Sequence, residues 1–146
     1  MVEAKIEREI EIGASAEQVW TLVSEPGWWI NDGKIVAHRI ERRDDYDLVH
    51  DPVHGEFAIA TLAVERPRYV RFGWLSRDPD ATPEQRTIVE FWIDDRPAGG
   101  VVLRVVETGF DTLPGTEADR ARALEDNTQG WQVELDAAQQ HLQSRA

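Results

Sequence analysis

The hydrophobic positions follow two periods, which divide the chain into a strand-rich body and a helical end. At the start, Ile6, Ile10 and Ile12 share one parity with Arg8, while Glu7, Glu9 and Glu11 take the other. This is the alternation of a strand with one buried face. Ser15 with Gln18 three residues on forms a capping-box pattern, in which each side chain satisfies an orphan backbone amide. The pattern predicts a helix from about Ala16 that turns Val19, Trp20, Leu22 and Val23 inward and stops before Pro26. Residues 26–31 then read as a second short helical turn or loop carrying two adjacent indoles, Trp28 and Trp29.

Further strands are expected over 35–40, 46–50, 56–65, 69–75, 87–93 and 101–108, separated by short runs rich in Asp, Pro and Gly. Such short connections require antiparallel pairing, because parallel strands need long crossovers. The polar segment 76–85 is the longest expected loop. Beyond it the period changes. Ala121, Leu124, Thr128, Trp131, Leu135, Ala138 and Leu142 recur at steps of three and four and form one helical stripe. Thr116, with Asp119 three residues later, supplies an N-cap. A sheet curling around this long helix would leave space between the helix and its concave face, to be filled or left open according to side-chain size.

Composition narrows the reading. A chain of 146 residues fits a single domain, taken here as 1–146. It contains no cysteine, which excludes a disulfide scaffold, a thiolate metal site and a cysteine nucleophile, and fits a cytoplasmic setting. The first fifteen residues lack an apolar core, so no signal peptide is expected, and no run is long enough for a membrane span. A net charge of −12 opposes nucleic acid as a partner.

Several stretches together resemble the START-like (SRPBCC) superfamily, and within it the activator of heat-shock-protein-90 ATPase homologue-like family of bacterial proteins. They are Ile10-Glu11-Ile12 followed by Ala14 to Trp20; Trp28-Trp29; Val64 to Trp74 with Glu65-Arg66-Pro67; Glu107-Thr108-Gly109-Phe110; and Gly130-Trp131 with Leu135-Asp136. The resemblance runs from about Ile6 to Leu142. It implies an α+β helix-grip fold, a seven-stranded antiparallel sheet curled around a long C-terminal helix, with two short helices after the first strand. It also implies a deep apolar cavity for a small hydrophobic ligand, lipids included. Many relatives carry Asp-Pro at the end of the first helix, where this chain has Glu25-Pro26.

Six tryptophans are a heavy aromatic load. Trp20 and Trp131 fall on apolar helical faces and read as core. Adjacent Trp28 and Trp29 are not expected to share one core, so one of them should line the cavity mouth or be partly exposed. Phe72 and Trp74, and Val89, Phe91 and Ile93, lie on parities that face the helix. The expected ligand lining is Trp29, Phe57, Phe72, Trp74, Phe91, Glu107, Phe110, Asn127 and Trp131. Glu107 continues the inward parity of Leu103 and Val105, so its carboxylate should enter the groove, either as a ligand anchor or as a general base. Burial would raise its pKa unless a cation paired with it. Arg8, on the isoleucine parity, is the candidate cation; Arg71 and Arg104 fall outward.

His50 and His54 flank a turn and lack an evident third ligand, so no metal is assigned. His38 reads as a strand residue and His141 as a solvated helix position. Neither a nucleophile elbow nor a phosphate loop occurs, so no cofactor is expected. The carboxylates between Glu107 and Asp136, Glu134 among them, read as a solvated face. The leading expectation is therefore a non-catalytic binder of a small hydrophobic molecule between sheet and helix, with a homodimer left open. The alternatives are a cyclase- or hydratase-like enzyme using Glu107 on an aromatic or polyketide-like substrate, and an adaptor of the chaperone-activator kind.

Overall fold

Seven strands form one antiparallel sheet in the computed structural model, which describes residues 4–144. They are β1 (Ile6–Ile12), β2 (Arg39–Arg42), β3 (Asp47–Asp51), β4 (Gly55–Glu65), β5 (Tyr69–Leu75), β6 (Arg86–Asp95) and β7 (Val101–Thr108), in the spatial order β1-β7-β6-β5-β4-β3-β2. Strands β2 to β7 are a meander of hairpins, and β1 closes against β7 with Ile6 opposite Glu107 and Ile12 opposite Val101. Helix α1 (Ala16–Val23) follows β1, and helix α2 (Glu117–Gln143) ends the described chain. This is the helix-grip arrangement.

Local chemistry sets the ends of both helices. The Ser15 hydroxyl accepts from the Gln18 N–H at 3.2 Å while Gln18 Oε1 accepts from the Ser15 N–H at 2.8 Å. Thr116 and Asp119 repeat the device on α2. The 27 residues of α2 span about 40 Å, enough to cross the whole sheet. Its inner stripe holds Trp131, Leu135, Ala138 and Leu142, as the spacing predicts, whereas Ala121 is exposed. Two side chains bind the helix's last turns to β1: Gln139 donates to the Glu11 carbonyl at 2.7 Å and Gln143 accepts from the Gly13 N–H at 2.8 Å.

The sheet alternation holds along the central strands. Val70 and Phe72, then Val89, Phe91 and Ile93, then Leu103 and Val105, are all fully buried on the inner face. Outside, Trp92 stacks with Tyr69 at 5.2 Å and carries the Arg104 guanidinium 4.3 Å above its ring. A register shift between Thr61 and Ala63 bends β4, and Val64 beyond it is 55% exposed. The segment 35–40 departs from expectation. Only its end joins the sheet as β2, and His38 lies in irregular chain rather than in a strand. Its ring is fixed by Asp51, 2.8 Å away and equally buried. The second short helix after β1 is instead a run of turns over 26–29.

Candidate functional site

That run of turns builds the inner layer. Gly27 takes φ +73°, a conformation that side-chain-bearing residues rarely adopt, and a Cβ there would lie 3.0 Å from Val49 Cγ1. Beyond this bend both indoles turn inward: Trp28 is 1% exposed and Trp29 4%. The expectation that neighbouring indoles cannot share one core is thus overturned. The two rings meet edge to face, 89° apart with centroids 6.1 Å apart. Trp28 packs on Phe91 at 5.4 Å. Trp29 contacts Phe72, Phe91, Trp74 and Trp131 at 5.5 to 5.7 Å.

This cluster lies between sheet and helix, and at its rim is a pocket of about 190 Å³. The walls are Trp29, Phe57, Trp74 and Trp131, with Ile30, Asn31, Asp32 and His54 from the loops and Asn127, Gly130 and Glu134 from α2. Five of the nine expected lining residues therefore meet there: Trp29, Phe57, Trp74, Asn127 and Trp131. The other four do not. Phe72 and Phe91 lie under the Trp29 ring, Phe110 is buried in a single 3-10 turn (Phe110–Thr112), and Glu107 sits deeper, behind Asn127 and Trp131. On the far side of Phe57, Trp74 and Asn127 is a second depression of about 260 Å³, bordered by Arg77, whose guanidinium stacks 4.3 Å above Phe57. A larger open groove, about 510 Å³, lies between α1, residues 35–37 and the end of α2, remote from the aromatic layer.

Glu107 enters the interior from β7 as its parity predicts and is 0% exposed. Its partners are all donors. Trp131 Nε1 donates to Oε1 at 2.8 Å, and Asn127 Nδ2 donates to both oxygens at 3.1 and 3.2 Å. The Thr87 hydroxyl adds a further hydrogen bond. Burial pushes its pKa up, and the Thr87, Trp131 and Asn127 hydrogen bonds pull against that. Arg8 does not supply a charge: it is exposed and donates to the Glu7 carbonyl, since the edge strand lets its side chain swing clear of the sheet. A carboxylate enclosed by donors fixes the rotamers of Asn127 and Trp131, and so shapes the pocket wall without lining it.

Glu134 overturns the reading of a solvated acidic face. It is 6% exposed, lines the pocket, and its Oε1 has no hydrogen-bond partner. Burial raises its pKa to about 8, aided by the like charge of Asp32 and opposed by the polar Gly33 N–H and Asn31 side chain beside it. The signal was present in the spacing, because Glu134 stands three residues after Trp131 and four before Ala138, inside the stripe. The indole N–H groups of Trp28 and Trp29 also lack acceptors. At the mouth, His54 Nε2 meets Asp32 Oδ1 at 2.7 Å, while His50 lies between Glu41 and Glu56 at 3.3 Å from each.

No family model matches the sequence, and no curated protein matches it significantly. Solved structures do match. Protein MLL2253 from Mesorhizobium loti superposes with a TM-score of 0.71 at 20% identity, over 97% of this chain and 98% of its own. The Aha1 dimer from Colwellia psychrerythraea gives 0.64 at 17% identity, over 97% and 96%. DynU16, a protein of the dynemicin biosynthetic locus, gives 0.66 at 15% identity over 97% of this chain but 48% of its own. At these identities the likeness is one of architecture: the chain adopts the helix-grip fold.

Proposed function

We propose that this protein is a non-catalytic receptor for a small, largely hydrophobic molecule of about one ring, held between Trp29, Phe57, Trp74 and Trp131. One observation carries the reading: an aromatic-walled pocket of about 190 Å³ lies at the rim of the aromatic layer. A dry cavity of about 150 Å³ takes a benzene ring, whereas drug-sized ligands need roughly 300–1,000 Å³. A lipid chain or a multi-ring polyketide therefore exceeds the available space. Glu107 supports binding rather than catalysis, because Asn127 and Trp131 stand between its carboxylate and the pocket. A place in the activator of heat-shock-protein-90 ATPase homologue-like family rests on the sequence motifs, and a homodimer is part of the same proposal.

The test is a thermal-shift series with toluene, phenol and anisole against a long-chain fatty acid. Saturation to about 100 times the Kd stabilises by about 2.7 kcal/mol, a rise of several degrees. The single-ring compounds should produce it and the fatty acid should not. A fatty acid that stabilises while none of the rings does so would overturn the reading.

A further inference from the structure

The pocket's unmatched polar atom carries information about what fills it. Buried polar groups are normally paired, so each exception needs a cause. Glu134 lines the pocket, and its buried Oε1 has no partner, although Gly33 and Asn31 lie beside the carboxyl. Asn127 commits its amide nitrogen to Glu107, which leaves its carbonyl oxygen as a second acceptor. Carboxyl groups predominate around it. Among the lining residues the titratable groups are Asp32, His54 and Glu134, with the His54 ring engaged by Asp32. Glu107 lies behind the wall, and Arg77 faces Phe57 from the neighbouring depression. Four aromatic rings, Trp29, Phe57, Trp74 and Trp131, complete the wall.

From this combination we infer that the pocket takes a small organic ammonium ion, its N–H donors on the Glu134 carboxylate and its apolar body between Trp29, Phe57, Trp74 and Trp131. The inference rests on the receptor reading above and names the ligand class for the same site. Aromatic walls attract cations through their faces, and an ionised acceptor makes the strongest hydrogen bonds. An anion would face Glu134 and Asp32, and an apolar ring would leave Oε1 unmatched. In the empty pocket Glu134 holds a proton at neutral pH, since its pKa is raised to about 8. Binding of an ammonium ion ionises the acid, and the released proton passes to the buffer.

The experiment uses three probes of one shape: benzylammonium, benzyl alcohol and benzoate. Titration calorimetry of the intact protein at pH 7, in two buffers of different ionisation enthalpy, should rank benzylammonium about tenfold or more above benzyl alcohol, with benzoate not bound. The benzylammonium enthalpy should differ between buffers by the release of close to one proton. Glu134→Gln should weaken benzylammonium about tenfold and leave benzyl alcohol within about twofold. If that variant does not fold, the proton release of the wild type decides alone. Equal or tighter binding of benzyl alcohol, or benzylammonium binding without proton release, overturns the ammonium assignment and leaves the receptor reading standing. Failure of all three probes overturns both.

Discussion

Glu134→Gln should make the protein more stable at alkaline pH while leaving its stability at pH 5 almost unchanged. In the folded protein burial raises this carboxyl from 4.5 to about 8, and the nearby charge of Asp32 adds to the effect. Unfolding returns it to its ordinary value. Between those two values the folded state binds more protons than the unfolded one, so this group's contribution to stability falls as pH rises through the window and is gone above about pH 8. At about 1.4 kcal/mol per tenfold, the ceiling is about 5 kcal/mol; local relaxation and water entry should reduce the measured figure to a few kcal/mol. Glutamine keeps the shape and the acceptor oxygen but has no charge to desolvate. Urea unfolding of both proteins at pH 5, 7 and 9 isolates the effect as a difference, because every other titrating group is common to them. The gap should open in favour of the variant with rising pH. A gap that stays constant from pH 5 to pH 9 would refute the claim that Glu134 is a buried acid.

Three other substitutions probe the architecture. Glu107→Ala should destabilise by about 3 kcal/mol or more in chemical denaturation, because the Asn127, Trp131 and Thr87 donors all lose their acceptor inside the core; Glu107→Gln should cost less, since one oxygen remains for Trp131. Gly27→Ala should cost about 1–3 kcal/mol, from the positive φ and the crowding against Val49, and tryptophan fluorescence should shift as Trp28 and Trp29 move. Phe57→Ala removes part of the wall between the pocket and the depression behind it; at a cost of about 1–2 kcal/mol for a half-buried ring it should admit two-ring ligands that the wild type rejects in the same thermal-shift assay.

Sequence periodicity was informative wherever one face of an element is buried and the other wet. Strands β1, β6 and β7 and the stripe of α2 meet that condition, so Glu107 could be placed inside from Leu103 and Val105 alone. Where side chains rather than backbone pairing hold the chain, the pattern was silent. His38 has the neighbours of a strand residue, yet a buried contact with Asp51 decides its place. The pocket residues divided for a similar reason. Phe57, Phe72, Trp74 and Phe91 all share the inner parity, but which of them meets open space depends on where Trp29 lands, and that depends on a bend at Gly27. Burial of both indoles is a consequence of three-dimensional packing. Glu134 was legible by position on the helix and misjudged by chemistry, because a carboxylate within an apolar stripe departs from the rule that charge stays wet.

The two rims of the sheet are finished differently, and this bears on how copies of the chain can meet. Along β1 the glutamines of α2 occupy backbone groups at Glu11 and Gly13, so the strand end there is already occupied by the chain's own helix. The opposite rim, β2, is four residues long and carries Arg39, Glu41 and Arg42. A short, charged border is a poor template for another strand. Growth of the sheet from molecule to molecule is therefore discouraged along the β2 border and at the end of β1.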